Sequence, residues 1–176
     1  DYPSGIALDA SNNAYVAGWT FSHDFPVAGA FQSAAAGSGD GFLTKISPTG
    51  TSLVYSTFLG GYGVDEVRSV AVDATGAAYV AGHTNSPDFP VLGAAQPALA
   101  GNFDAFVAKF DPAGNALVYS TYLGGSREER IFGRRALAVD SAGAAYVGGR
   151  THSSNFPLVN PVKSALLDVD DGFVTK

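Results

Sequence analysis

The sequence predicts an all-β protein made of three consecutive copies of one four-stranded antiparallel unit. The motif Ala-Tyr-Val-Ala-Gly at residues 14–18 returns at 78–82 and again, as Ala-Tyr-Val-Gly-Gly, at 145–149. The segment Tyr-Ser-Thr-Phe-Leu-Gly-Gly at 55–61 also returns, as Tyr-Ser-Thr-Tyr-Leu-Gly-Gly, at 119–125. Self-similarity at a near-constant period is typical of repeat architectures.

Each copy contains four strand-like runs separated by turn residues. In the first copy these runs are residues 6–9, 15–20, 42–46 and 53–59. Asn and Gly in the intervening turns tolerate the left-handed backbone of a tight hairpin. No segment has a sustained helical period, although 28–36 is compatible with a short helical turn.

Four antiparallel strands, repeated radially, predict the blades of a β-propeller. A β-solenoid is the alternative, but its coils are usually shorter, at about 20–45 residues. The predicted blades cover about residues 4–61, 68–125 and 135–176, and the third lacks its fourth strand. Closed propellers have about four to eight blades, so the chain is expected to form an eleven-stranded arc of a six- to seven-bladed propeller. Other blades of the same protein, or a second chain, would complete the ring.

Composition limits the classes of partner. The formal net charge of -6 argues against binding to nucleic acid, which selects basic surfaces. No run approaches the ~20 apolar residues that span a bilayer, so we expect no membrane insertion. The sequence has no cysteine, which excludes disulfides and thiolate metal sites. We predict no cofactor, and no residue spacing typical of a metal site is present.

Five motifs of the first copy resemble a known repeat family. They are Gly-Ile-Ala-Leu-Asp (5–9), Asn-Ala-Tyr-Val-Ala-Gly (13–18), Asp-Phe-Pro (24–26), Gly-Asp-Gly-Phe-Leu-Thr-Lys (39–45) and Leu-Val-Tyr-Ser-Thr-Phe-Leu-Gly-Gly (53–61). In combination they resemble the bacterial SBBP-type β-propeller repeat, whose name refers to a seven-bladed propeller. The resemblance implies the fold and a secreted or cell-surface location, and it supplies no general catalytic residues. The third copy departs from it at Asn155, where the others have Asp24 and Asp88.

Residues that recur in every copy are interpreted as scaffold. Asp9 and its copies end a strand before a turn, where a carboxylate accepts backbone N–H bonds. Their turns offer too few oxygens for the six to eight ligands that calcium prefers. Asp40 and its copies are interpreted in the same way. Lys45 and its copies are expected to lie along a blade surface with the ammonium in water. The repeated aromatic residues are expected to pack between blades.

Functional residues are expected at exposed positions where the copies differ. The position after the glycine of the second strand is Trp19, then His83, then Arg150. In the usual propeller path, the same face carries residues 126–135, where the third copy has gained three residues. Trp and Arg are enriched in recognition hot spots. The candidate ligand-binding residues are Trp19, His83, Arg150, Arg127, Arg130, Arg134 and Arg135.

Three functions remain open from the sequence. The first is a non-enzymatic recognition or display module that binds a glycan, peptide or protein on the loop face. The second is a structural subunit or spacer of a surface layer or filament. The third is a polysaccharide lyase or hydrolase in which His83 is the base and Arg150 neutralises a substrate carboxylate. No nucleophile motif supports catalysis, and no catalytic residue is assigned. A purely structural role for the candidates is also open, with Trp19 packing a loop, His83 solvated and the Arg and Glu side chains paired internally.

Overall fold

The computed structural model describes residues 1–133, 135–165 and 170–176, which form three antiparallel β-sheets. The first two sheets have consecutive strands as neighbours, which confirms the predicted blade topology. Their strands are β1 (Tyr2–Leu8), β2 (Ala14–Thr20), β3 (Asp40–Ile46) and β4 (Leu53–Leu59), then β5 (Asp65–Val72), β6 (Ala78–Thr84), β7 (Asp104–Phe110) and β8 (Leu117–Leu123). The third sheet contains β9 (Glu129–Arg130), β10 (Leu137–Val139), β11 (Ala145–Thr151) and β12 (Asp171–Thr175). The all-β propeller arc predicted from the repeat is thus confirmed, and the arc is open.

The first strand of each sheet lies on the inner side of the arc. Strand β5 contacts both β1 and β10, so the first strands of successive sheets converge. The loops between the second and third strands meet the connections that enter the next sheet, because Gly39 bridges Val64 and Phe103 bridges Glu128. These two kinds of loop therefore lie on one face of the arc, as expected, and this face is at one end of the inner strands.

The three-residue insertion of the third copy lies in a β-bulge of the inner strand. In the first two sheets the register shifts at one residue, Ser4 in β1 and Arg68 in β5. In the third sheet β9 and β10 both pair with β11, and residues 131–136 connect them. The insertion thus enlarges an existing bulge and divides one strand into two, so the described residues form twelve strands instead of the expected eleven.

The predicted helical turn at 28–36 is wrong. This segment runs beside β4, with bridges from Ala28 to Ser56 and from Gln32 to Phe58. It thereby covers the edge of β4, which would otherwise present unpaired backbone groups. Among the described residues, no helix is long and apolar enough to cross a bilayer.

The repeated polar residues join turns to neighbouring sheets. Asp9 Oδ1 accepts bonds from the backbone nitrogens of Ser11 and Asn13, both at 2.9 Å, which confirms the predicted turn capping. Burial opposes ionisation of Asp9, but hydrogen bonds from Asn13 and Tyr15 outweigh it and lower its pKa to about 2. The Tyr15 hydroxyl also lies 3.0 Å from the carbonyl oxygen of Gly76 in the second sheet.

The prediction that the repeated lysines extend into water is wrong for two of them. The Lys45 side chain is only 11% exposed, and its Nζ lies 3.4 Å from Asp9 Oδ2. Lys109 makes the equivalent contact with Asp73 at 3.1 Å. Each ammonium also lies over the ring of the repeated tyrosine, Tyr15 or Tyr79. The Asp, Tyr and Lys contacts together link the turn after the first strand to the second and third strands of the same sheet. Lys176 is 60% exposed, as expected.

Candidate functional site

One cross-strand position at the end of the inner strands holds a chemically different pair in each sheet. The position is the same in all three, since it joins the start of the first strand to the end of the second. The pairs are Tyr2 with Trp19, Glu66 with His83, and Arg130 with Arg150. We call these six residues, together with Arg68 and Phe132 from the adjacent bulges, the inner-rim site.

The first sheet contributes an aromatic surface. The rings of Tyr2 and Trp19 stack with centroids 4.2 Å apart, and Phe21 lies edge-on to Trp19 at 5.0 Å. Tyr2 and Phe21 are both more than half exposed, and Trp19 is half-buried. Aromatic faces held rigidly by one another are suited to stacking on a ligand, because little side-chain entropy is lost on binding.

The second sheet contributes a buried acid–base pair. His83 is fully buried, so the expectation of an exposed or solvated side chain at this position is wrong for His83. Its Nε2 lies 3.4 Å from Glu66 Oε2 and 3.3 Å from Arg130 Nη1, whereas Nδ1 has no hydrogen-bond partner. Burial lowers the pKa of His83, and the hydrogen bond with His83 lowers the pKa of Glu66. Arg68, from the bulge, is ion-paired with Glu66.

The third sheet places two arginines directly opposite each other. Like charges at such a position repel, so each guanidinium needs its own stabilising contacts. Arg130 lies 4.0 Å above the ring of Phe103 and 3.3 Å from Glu128. Arg150 lies 4.8 Å above the ring of Phe132 and 3.1 Å from Asp170.

The bulges bring the three sheets together around one small pocket. The pocket has a volume of about 260 Å³, and its wall includes Trp19 from the first sheet, Arg68 from the second and Phe132 from the third. Phe132 is 56% exposed, and the same ring lies 6.5 Å from the His83 ring. Phe132 therefore connects the pocket to both His83 and Arg150.

The structure unites some of the predicted site residues and separates others. Trp19, His83, Arg130 and Arg150 belong to the inner-rim site. Arg127 and Arg135 are exposed and do not line the pocket, and Arg134 lies outside the described residues. The sequence interpretation missed Arg68, although a visible signal existed: all six arginines of the chain lie at 68, 127–135 or 150.

A second set of buried acids lies where one sheet passes into the next. Asp65 accepts bonds from Ser86 Oγ at 2.8 Å and from the Gly61 nitrogen at 2.9 Å. Burial raises the pKa of Asp65 to about 6, despite these bonds, and the nearby Asp40 raises it further. Glu129 bonds to Gly125 in the same way at the next junction. These carboxylates fix the connection between sheets, and no cluster of three or more possible metal ligands occurs in the described part of the chain.

Comparison with known proteins supports the architecture. A search among curated proteins finds no match. A family model described as a β-propeller repeat, SBBP, matches residues 1–26, 54–90 and 118–157, which together are more than half of the chain. Each of the last two matches begins within the fourth strand of one sheet and ends in the loop after the second strand of the next. The resemblance noted from the first copy is thus confirmed, and the chain belongs to the SBBP β-propeller repeat family.

Proposed function

We propose that this propeller arc is a non-enzymatic recognition module that binds an acidic glycan at the inner-rim site. The convergence of Trp19, Arg68 and Phe132 on one pocket carries the proposal. Aromatic faces stack on sugar rings, while guanidinium groups bind carboxylates through two parallel hydrogen bonds. Both kinds of group line the same pocket.

The distribution of charge supports an anionic ligand. The chain is acidic overall, with a net charge of -6, yet its arginines are concentrated in the segments that form or enter the inner rim. Arg68 and Arg130 are each about one-quarter to one-third exposed, so their guanidinium groups remain accessible. Arg68, Arg130 and Arg150 each pair with one carboxylate, that of Glu66, Glu128 and Asp170 respectively, so an anionic ligand would bind by replacing such a partner at a guanidinium group.

The burial of His83 disfavours the lyase and hydrolase alternatives. A general base must reach the proton that it removes, and it works best with a pKa near the operating pH. His83 is fully buried, its Nε2 faces Glu66 and Arg130, and burial lowers its pKa. We assign His83 a supporting role beside Arg130.

We also propose that the protein is extracellular or attached to the cell surface, as the family resemblance implies. Detection of the native protein in the culture medium or on the surface of intact cells would test that location.

Trp19 provides a direct test, because it is the only tryptophan of the chain. Titration with an oligogalacturonate, a chain of uronic acids, should give a saturable change in tryptophan fluorescence. The affinity obtained from this titration should decrease as salt is added. Arg68→Gln should reduce the affinity by about tenfold or more. The matched control is Arg127→Gln, an exposed arginine outside the pocket, which should bind like the original protein. Equal binding of an uncharged oligosaccharide of the same length, or an unchanged affinity in Arg68→Gln, would contradict the proposal.

A further inference from the structure

One carboxylate oxygen of the second sheet contacts both an arginine of the pocket and a buried histidine. Glu66 Oε2 forms the ion pair with Arg68 and also lies 3.4 Å from His83 Nε2. Arg68 lines the pocket and its side chain is 31% exposed, whereas His83 is fully buried. An anion that binds Arg68 must therefore replace an oxygen that His83 also contacts, so the two residues are physically linked.

Arg68 is the arginine best placed to exchange its partner for a ligand. The other two arginines of the inner-rim site, Arg130 and Arg150, do not line the pocket. The ion pair of Arg68 uses a single carboxylate oxygen, and Arg68 Nε is buried without a hydrogen-bond partner. A buried donor without a partner is costly, and a carboxylate can accept hydrogen bonds from two guanidinium nitrogens at once. A ligand carboxylate can therefore satisfy Arg68 better than Glu66 does.

The groups around His83 determine when it can take up a proton. They are Glu66 and Arg68 of β5, Arg130 of β9, Ala105 of β7, Phe103 of the loop before β7, and Phe132 of the segment after β9. Burial lowers the pKa of His83, contact with Glu66 opposes this effect, and the two guanidinium groups add to it. His83 is therefore neutral near pH 7 as long as Arg68 holds Glu66.

We propose that binding of a ligand carboxylate at Arg68 is coupled to protonation of His83, so that the inner-rim site takes up a proton together with its ligand. This inference rests on the proposed function and adds the control of that function by pH. The ligand neutralises Arg68 in place of Glu66, which leaves the Glu66 charge for His83. Protonated His83 donates a hydrogen bond from Nε2 to Glu66 Oε2, while Arg130 keeps its ion pair with Glu128.

The direction of the pH effect follows from this coupling. Where His83 is neutral in the free protein and protonated in the complex, the affinity rises as the pH falls, by at most about tenfold per pH unit. Ordinary carboxyl groups have pKa values of about 4, so a uronic acid keeps its charge above about pH 5. Arginine is charged throughout this range, so direct binding at Arg68 alone would not depend on pH.

Oligogalacturonate binding, followed by the fluorescence of Trp19 between pH 5.5 and pH 7.5, tests the coupling. The affinity of the original protein should increase roughly tenfold as the pH falls over this range. His83→Gln keeps a polar side chain but cannot become a cation, so its affinity should change by less than about twofold. His23→Gln, at an exposed residue, is the matched control and should keep the full pH dependence. An unchanged pH dependence in His83→Gln would overturn the proposal.

Calorimetry of the original protein avoids dependence on a variant at a buried position. The heat of binding is measured at pH 6.5 in phosphate and in Tris, because these buffers release different amounts of heat when they supply a proton. The difference should correspond to an uptake of about half a proton or more per ligand bound. Saturable binding with equal heats in the two buffers would overturn the coupling.

A measurement without ligand separates this inference from the glycan proposal. In NMR spectra of the free protein, the ring signals of His83 and the Nε–H signal of Arg68 should shift with a common midpoint as the pH is lowered, because protonated His83 weakens the ion pair between Glu66 and Arg68. The spectrum of Arg68→Gln identifies the arginine signal. An Arg68 signal that stays unchanged while His83 titrates would overturn the coupling. If no glycan binds at any pH, the proposed function fails, and the NMR result alone decides whether His83 controls Arg68.

Discussion

Glu66 and His83 face each other across β5 and β6, with Glu66 Oε2 3.4 Å from His83 Nε2. The same nitrogen lies 3.3 Å from Arg130 Nη1 of the third sheet. The two contacts need opposite states of Nε2, because Arg130 can only donate a hydrogen bond and Glu66, when ionised, can only accept one. Neutral His83 can therefore satisfy one neighbour at a time, and protonation favours Glu66 over Arg130.

The first prediction concerns stability in mild acid. Burial lowers the pKa of His83 in the folded state, so the unfolded chain binds a proton at this residue more readily. The His83 contribution to stability is complete above the unfolded pKa of about 6.5 and is lost as the pH falls below it. We expect His83→Gln to lose less unfolding free energy than the original protein between pH 7 and pH 5, as measured by urea denaturation. His23→Gln, at an exposed site, is the control and should keep the pH dependence of the unfolding free energy of the original protein. The same pH dependence in His83→Gln would show that His83 is not the group responsible for the loss of stability in acid.

The second prediction has the opposite sign. Burial raises the pKa of Asp65 to about 6, so the folded protein binds a proton there more readily than the unfolded chain. The contribution of Asp65 to the unfolding free energy is therefore greatest below pH 4 and decreases by roughly 2–3 kcal/mol as the pH rises through 6. Asp65→Asn should remove this loss between pH 4 and pH 7.

The control for Asp65 is a solvent-exposed carboxylate. Asp24→Asn changes an exposed residue of the connection between β2 and β3 and should leave the measured slope of stability against pH unchanged. If Asp65→Asn has the same slope as Asp24→Asn, the carboxylate at the junction is not the group that titrates. His83 and Asp65 act in overlapping pH ranges with opposite sign, so only the single variants separate them.

The repeat predicted the sheets, but it did not predict how neighbouring sheets meet. Strand positions and the capping role of Asp9 follow from local sequence, since hairpins and turns involve residues close in the chain. The burial of Lys45 could not be predicted from its neighbours in sequence, because its partners are Asp9, in the turn after β1, and Tyr15 on β2. Cross-strand partners depend on register, which becomes visible only in the assembled sheet.

The inner-rim site was only partly predictable for the same reason. Comparison of the three copies identified Trp19, His83 and Arg150, because they occupy one position with different chemistry. The burial of His83 depends on Phe103 of a loop and Phe132 of the next sheet. Phe132 reaches His83 from the enlarged bulge, and the sequence shows the insertion without showing the direction of the chain within it.

The third prediction concerns the close approach of strands β5 and β6. A Cβ atom at Gly82 would lie 1.9 Å from the Glu66 carbonyl oxygen and 2.8 Å from the Phe106 ring. The backbone of β5 cannot move away from Gly82 without breaking the strand pairing that holds His83 opposite Glu66. We expect Gly82→Ala to lower the unfolding free energy by about 2–4 kcal/mol in urea denaturation. Gly172→Ala, where the nearest atom is 3.9 Å away, is the control and should change stability by less than about 1 kcal/mol.

The fourth prediction concerns the hydroxyl that joins the second and third sheets. Tyr79 is fully buried, and its hydroxyl lies 3.0 Å from the Gly143 carbonyl oxygen and 2.6 Å from Lys109 Nζ. Tyr79→Phe keeps the ring but leaves these partly buried groups without their partner, which should cost about 1–3 kcal/mol of unfolding free energy. Tyr62→Phe removes a hydroxyl from a side chain that is 61% exposed, and it should be nearly neutral. If both variants unfold at the same urea concentration, the Tyr79 hydroxyl does not contribute to holding the second sheet to the third, and the other contacts at this junction account for the stability.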